Sequence, residues 1–166
     1  LNFCTTDLSA FYFDIRKDTL YCDPINSEKR KSCVTILNVL LKSLLRWFAP
    51  ILSFTTEEIH QLISKNTKSI HLEKFLTFPD KFKNEQLTER WSQLIKIRDV
   101  CNISIEEKRA SKEIGSSLEA DLNIQLNEKY KEIVADMDLS ELCIVSKTVI
   151  NFDNQSDILV ETKKAS

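Results

Sequence analysis

The sequence predicts a mainly α-helical protein, in which a helical bundle is followed by a small α+β unit. Two observations lead to this prediction. Apolar residues recur at spacings of three and four, with capping signals between the runs, and alternation with a period of two begins only after Gly115. The predicted domains are residues 1–115 for the bundle and residues 116–166 for the α+β unit.

The first predicted helix is marked by one apolar stripe. Its members recur every three or four residues: Leu1, Cys4, Leu8, Phe11 and Ile15. No capping residue precedes this stripe, which predicts that the chain was cut from a longer protein. An apolar stripe that lacks its neighbours also predicts self-association through the first helix, or fraying of that helix.

The second predicted helix runs from an N-cap at Ser27 to about Ala49. Its apolar residues nearly encircle it, which predicts a position inside the bundle. Pro50 interrupts the pattern, and Thr55 and Glu58 have the spacing of a capping box that starts the next helix.

The rest of the chain changes from helix to strand. Residues 66–86 predict a surface crossing with little regular structure, and Leu87 to Glu113 predicts the next long helix. Gly115 is predicted to take the positive φ of a helix C-terminus. Beyond it the pattern predicts a short helix over 128–135 and three strands, at Leu122 to Leu126, Leu142 to Ile150 and Ile158 to Glu161.

Composition excludes several kinds of chemistry. The single glycine, Gly115, rules out a P-loop, a GxGxxG turn and a GxSxG elbow, since each needs at least two. Five cysteines without a CxxC pair predict reduced thiols in a cytoplasmic protein. No apolar stretch is long enough to predict a membrane span. Two histidines eleven residues apart, His60 and His71, do not predict a metal site, and no catalytic residue is predicted.

Charge points to a polyanionic partner. Residues 27–117 carry 16 Lys and Arg against 11 Asp and Glu, whereas residues 118–166 carry 5 against 10. One helical face is shared by Lys31, Thr35, Asn38, Lys42 and Arg46, with Lys29 and Arg30 beside its start. We call these seven residues the polar ridge. It is either a phosphate-contacting surface or the ordinary wet side of a bundle helix.

A second candidate cluster comprises Lys108, Arg109 and Lys112, near the end of the long helix. Cations at that position also complement the helix dipole, so a structural role competes with RNA binding. Trp47 and Trp91 could stack on unpaired bases, but their apolar helical positions favour core packing.

Four runs of sequence resemble bacterial isoleucyl-tRNA synthetases. In chain order they are Asp7 to Asp18 continued by Leu20 to Asp23, Arg46 to Glu58, Ile70 to Glu73, and Ile114 to Ala120. The second run is similar in valyl- and leucyl-tRNA synthetases, whereas the Asp-Leu-Ser-Ala-Phe-Tyr and Gly-Ser-Ser-Leu-Glu-Ala runs favour the isoleucyl member. The resemblance covers residues 7–120.

The resemblance implies a fold of the class I synthetase anticodon-binding type, and a parent enzyme that ligates isoleucine to its tRNA. That parent uses ATP with Mg²⁺, and many bacterial members carry a zinc knuckle. The family's HIGH and KMSKS signatures are absent from this sequence, so no cofactor is expected in the chain itself. The expected partners are the tRNA for isoleucine and the rest of the parent.

Within that interpretation, replacing Lys42 and Arg46 with Ala is expected to weaken tRNA binding and to leave folding nearly unchanged. The equivalent region of a valyl- or leucyl-type synthetase stays open as an alternative, and so do two rival functions. One is a helical protein-interaction scaffold with no nucleic-acid role. The other is a cysteine hydrolase, which would need one thiol with a depressed pKa.

Overall fold

The computed structural model describes residues 2–64, 68–154 and 157–165. They form two compact units, Leu1–Phe82 and Lys83–Ser166, which are described separately. The division lies between Phe82 and Lys83 because the long helix after it packs on the C-terminal sheet. The domain boundary expected at residue 115 follows the change of periodicity instead, and it stays a prediction.

The N-terminal unit begins with one continuous helix. Residues Phe3–Phe13 wind with π-type turns, and the α-helix α1 follows directly over Asp14–Tyr21. The predicted stripe does turn inward at Leu8 and Ile15, which are buried, whereas Phe3 is exposed. Leu1, the first member of that stripe, lies outside the described residues.

Helix α2 spans Glu28–Phe48, and its start confirms the predicted cap: the Ser27 hydroxyl accepts the Arg30 N–H at 3.4 Å. Only Cys33, Ser43 and Leu45 of α2 are buried. The expectation that α2 lies inside the bundle is therefore only partly met, because among the described residues its neighbours cover one side of it.

Helix α3 spans Ser53–Ile63 and corrects the capping-box prediction. The N–H groups of Ile51 and Leu52 both bond to the Phe48 carbonyl, so the chain turns helical again directly after Pro50. Thr55 consequently lies inside α3, and no side chain caps the helix. The crossing that follows contains two short 3₁₀ turns, Ile70–Leu72 and Asp80–Phe82, and residues 66 and 67 of the predicted crossing lie outside the described residues.

The C-terminal unit consists of the long helix α4, Glu85–Ala110, and a three-stranded sheet in the order β2-β1-β3. The central strand β1 is Ala120–Asn127; β2, Lys147–Asp153, runs parallel to it and β3, Ile158–Lys164, antiparallel. Two short helices, α5 at Lys131–Val134 and α6 at Leu139–Cys143, connect β1 to β2. The predicted α+β unit is confirmed.

The core of this unit consists of buried residues from one face of β1 and one face of α4. Alternate residues of β1, Leu122, Ile124 and Leu126, are almost fully buried. Helix α4 contributes Leu94, Ile97, Cys101 and Ile105 from one face.

Two local predictions are wrong here. The strand expected from Leu142 begins only at Lys147, because Asp138 caps α6 and Ile144 ends it with φ 56°. The positive φ expected at Gly115 is found at Lys112, at 61°, because α4 ends at Ala110. Gly115 is tight for another reason: a Cβ there would lie 3.1 Å from Glu119 Oε1.

Candidate nucleic-acid interface

The uncharged members of the polar ridge are satisfied by the helix itself. The Thr35 hydroxyl donates to the Lys31 carbonyl at 2.8 Å, and the Asn38 amide donates to the Val34 carbonyl at 3.2 Å. Such bonds to the preceding turn are common for Thr and Asn in helices. These two side chains therefore give no sign of a ligand.

Three lysines of the ridge are exposed: Lys29, Lys31 and Lys42. Lys31 forms an ion pair with Glu28 at 3.2 Å, in which both side chains are more than half exposed. A pair of this kind is worth little in water and is easily exchanged for another anion. Lys42 pairs with no carboxylate of the described residues. Lys31 and Lys42 can therefore meet a polyanion at low cost.

The two arginines of the ridge have structural roles instead. Arg30 Nη1 donates to the Asp23 carbonyl at 2.6 Å and so ties α2 to the preceding turn. Arg46 is only 12% exposed, and its guanidinium donates to the Lys74 carbonyl, the Lys42 carbonyl and the Glu73 carboxylate at 2.8–2.9 Å. These three bonds argue against the expectation that replacing Arg46 leaves folding nearly unchanged.

Glu57 on α3 fixes the start of the crossing. Its carboxylate accepts the Ser69 hydroxyl at 2.8 Å and the Ile70 N–H at 2.9 Å. The bond from Ser69 is the main reason why the pKa of Glu57 lies below its ordinary value. His60 Nε2 donates to the Lys68 carbonyl at 3.2 Å.

Ile70, which follows these anchors, is 1% exposed and belongs to a small cluster with Leu45 and Ala49. Three polar anchors, from Arg46, Glu57 and His60, and one apolar anchor thus hold residues 68–74 on α2 and α3. Beside them lies a cavity of about 530 Å³, lined by Lys42, Arg46, His60 and Glu73 among others.

The second cluster is largely neutralised by its own neighbours. Lys108 pairs with Glu113 at 2.8 Å, which lowers the pKa of Glu113, and Arg109 pairs with Glu106 at 2.6 Å. Lys112 is exposed at the left-handed turn that ends α4. This arrangement favours the structural role that the helix end suggested, although all three cations stay near the surface.

Aromatic side chains are more exposed than the sequence suggested. Trp47 is 48% exposed and meets Phe3 edge to face, with ring centroids 6.2 Å apart, so its predicted core position is wrong. Along the crossing, Phe75, Phe78 and Phe82 are exposed among lysines. Lysine and phenylalanine recur together over residues 74–83. This pattern in the sequence indicates a basic aromatic surface, which the predictions for the polar ridge and the second cluster did not include.

The buried cysteines are in surroundings unsuited to a nucleophile. Cys101 and Cys143 are nearly inaccessible, and the hydrogen bond between them together with burial raises the pKa of Cys101. Cys33 accepts a hydrogen bond from Tyr12, and burial raises the pKa of Tyr12 to about 12. The same hydrogen bond lowers the pKa of Cys143, but both sulfur atoms are too buried for a substrate to reach, and a catalytic thiol must be accessible.

The described residues contain neither a cluster of metal-ligating side chains nor a helix suited to cross a membrane. No group of three or more His, Cys, Asp or Glu side chains in the described part of the chain could hold a metal ion. None of its helices combines the length and apolarity that crossing a membrane requires.

Comparison with known proteins identifies the family. The family model described as the anticodon-binding domain of tRNA ligase matches residues 1–126. The chain belongs to this family. The match covers the whole N-terminal unit, α4 and most of β1, and every residue of the polar ridge and of the second cluster lies inside it.

Individual relatives extend the match to the C-terminal strands. The chain is 60% identical to the isoleucine–tRNA ligase of Pelagibacter ubique over 99% of its own length and 18% of that enzyme. It is 42% identical to that of Bartonella henselae and 43% identical to that of Mesorhizobium japonicum, over 90% of the chain in each case. The chain thus spans less than a fifth of the length of these relatives.

Proposed function

We propose that this anticodon-binding domain holds the anticodon arm of the tRNA for isoleucine and belongs to an isoleucine–tRNA ligase. The observation that carries the proposal is the family match over residues 1–126, together with relatives whose names specify isoleucine. Ligation in the parent would use ATP, and we propose a cytoplasmic location for it. The chain lacks both ATP-binding signatures, so no step of that reaction is assigned to it.

The exposed lysines of the polar ridge supply the binding chemistry. Lys31 and Lys42 lie on one face of α2, so their ammonium groups can neutralise phosphates along an RNA backbone, and Lys29 adds charge beside the start of that face. Phosphate contacts position the arm without reading its sequence. Arg30 and Arg46 support this surface from within by fixing both ends of α2. Lys108, Arg109 and Lys112 are secondary candidates, since two of them have carboxylate partners.

The exposed apolar side chains of the N-terminal unit support a second kind of partner. Ile51, Phe54 and Leu62 are each more than 70% exposed, although large apolar surfaces are normally covered. We propose that the rest of the parent synthetase covers part of this surface. Self-association through the first helix, where Phe3 and Phe13 are exposed, is the alternative.

Salt dependence tests the phosphate contacts. Affinity of the 166-residue chain for isoleucine tRNA is measured over a range of salt concentrations. Replacing Lys29, Lys31 and Lys42 with Ala should reduce the slope of log affinity against log salt by about one unit per lost contact. Lys163→Ala, on strand β3, where Lys163 pairs with Glu161, is the matched control and should leave the slope unchanged.

Two results would count against the proposal. A triple variant with the parent slope would mean that the polar ridge is only a solvated helix face. A chain that binds no tRNA even at low salt would favour the protein-interaction scaffold. Comparing isoleucine tRNA with valine and leucine tRNAs separates the isoleucyl assignment from its valyl and leucyl alternatives.

A further inference from the structure

Beyond the bonds that Arg46 makes to residues 73 and 74, the crossing continues as a segment with exposed aromatic rings. After Arg46 binds Glu73 and the Lys74 carbonyl, the chain presents Phe75, Phe78 and Phe82, which are 66%, 51% and 68% exposed. We call residues Lys74–Phe82 the aromatic segment. Three exposed phenylalanines within nine residues constitute an apolar surface that needs a partner.

Lysines accompany these rings. Lys74 precedes Phe75 directly, and Lys81 Nζ lies 5.8 Å from the centre of the Phe82 ring, within cation–π range. Both lysines are exposed. The aromatic segment therefore combines flat apolar faces with positive charge.

Phe54, on α3, is an exposed phenylalanine outside the aromatic segment, and its surroundings differ from those of the aromatic segment. Phe54 on α3 is 92% exposed, but residues 47–64 around it contain no Lys or Arg and two glutamates. A purely apolar partner would suit Phe54 as well as Phe75. Of these two sites, only the aromatic segment carries lysines that complement a polyanion, and its two lysines outnumber its one carboxylate, Asp80.

Unpaired nucleic acid matches this combination of groups. Exposed bases stack on aromatic rings, while ammonium groups neutralise the adjoining phosphates. Paired bases offer no free faces, so a duplex could use the lysines but not the rings. The expected ligand is consequently single-stranded RNA rather than a helical stem.

We propose that the aromatic segment is a stacking surface for unpaired bases of the anticodon loop. This inference rests on the proposed tRNA-binding function and adds the element that contacts the loop. In this arrangement Arg46 is a positioning residue. It meets no RNA, but its bonds to Glu73 and Lys74 fix the place at which the aromatic segment starts.

Leucine substitution separates stacking from apolar docking. The variant Phe75→Leu, Phe78→Leu, Phe82→Leu keeps apolar surface and all charge but removes the flat rings. Its binding to an isolated anticodon stem–loop RNA of isoleucine tRNA is compared with binding to an RNA duplex of equal charge. We expect stem–loop affinity to fall about tenfold for each stacked base lost, with duplex affinity and the salt slope unchanged.

Two further variants complete the test. Phe54→Leu is the matched control and should bind both RNAs like the parent chain. Lys74→Ala with Lys81→Ala should reduce affinity for both RNAs and lower the salt slope by about one unit per lysine. Circular dichroism and thermal unfolding establish that each variant is folded.

Two outcomes would overturn the stacking surface, and a third would overturn the proposed function. If the leucine variant binds the stem–loop like the parent chain, the stacking surface is overturned and apolar docking of a protein replaces it. If Phe54→Leu loses as much affinity, the effect is not specific to the aromatic segment and the inference is also overturned. If the unmodified chain binds neither RNA, the proposed function itself fails, and the inference fails with it.

Discussion

The two units of the chain use apolar residues in opposite ways. Among the described residues, fifteen buried apolar side chains lie in the C-terminal unit and six in the N-terminal unit. Exposed large apolar side chains show the reverse distribution, seven against sixteen. The C-terminal unit completes its own core, whereas the N-terminal unit leaves much of its apolar surface available to other molecules.

The difference follows from local architecture. Strand β1 lies between two partners and buries every second residue, and α4 adds a continuous apolar stripe. In the N-terminal unit, the crossing is held by a small cluster around Leu45, Ala49 and Ile70 and by polar anchors. Stability there depends more on individual hydrogen bonds and ion pairs than on a large core.

The largest effect should come from the C-terminal core. Ile124→Ala removes a fully buried side chain from the central strand and should cost about 2–5 kcal/mol of unfolding free energy. Val149→Ala, on the exposed side of the neighbouring strand β2, should cost far less. Urea denaturation followed by circular dichroism measures both. Similar losses for the two variants would contradict the contrast between buried and exposed faces.

A smaller effect should follow from loosening the polar anchor of the N-terminal unit. Arg46→Met removes three hydrogen bonds and leaves Glu73 without its ion pair, which should cost about 1–3 kcal/mol. Amide exchange at residues 70–74 should quicken, while exchange in β1 stays unchanged.

Lys42→Met, one turn away on the same helix, is the matched control for Arg46→Met. Its side chain is exposed, so its unfolding free energy should change by no more than about 0.5 kcal/mol. Equal destabilisation by both variants would show that the Arg46 anchor adds nothing to an ordinary surface position.

The predictions from sequence that succeeded each rest on a local signal. The Ser27 cap, the alternation of Leu122, Ile124 and Leu126, and the change from helix to strand each depend on neighbouring residues. The left-handed turn at Lys112 was missed because Gly115, three residues later, seemed the better candidate. Sequence favours glycine at such a position but does not require it.

The candidate site was harder to predict because it depends on distant partners. Spacing alone placed Lys42 and Arg46 together on one face of α2, and it could not distinguish their roles. Arg46 meets Glu73 and Lys74, which are 27 and 28 residues away along the chain. Those contacts arise only when the crossing returns over α2, and they give Arg46 intramolecular partners that spacing along the helix could not predict.

The smallest expected effect is a loss of stability at acid pH. It is compared between one carboxylate in each unit, Asp157 and Glu57. Hydrogen bonds from Lys129 and Lys96 lower the pKa of Asp157 from 3.8 to about 2, and the bond from Ser69 lowers the pKa of Glu57 below 4.5. A carboxyl group whose pKa is lowered by folding stabilises the folded state above its unfolded pKa. That stabilisation is lost as the pH falls through the folded pKa.

The contribution of Asp157 should therefore be complete above about pH 4 and disappear as the pH approaches about 2. Asp157→Asn should flatten the acid dependence of the C-terminal unit, and Glu57→Gln that of the N-terminal unit. Amide exchange of β3 and of residues 69–70, measured between these pH values, distinguishes the two.

Because the ion pairs of Asp157 are exposed, added salt should weaken its effect. Glu57 receives its main bonds from an uncharged hydroxyl and a backbone N–H, so its effect should persist in salt. Equal salt sensitivity of both carboxylates would contradict this assignment.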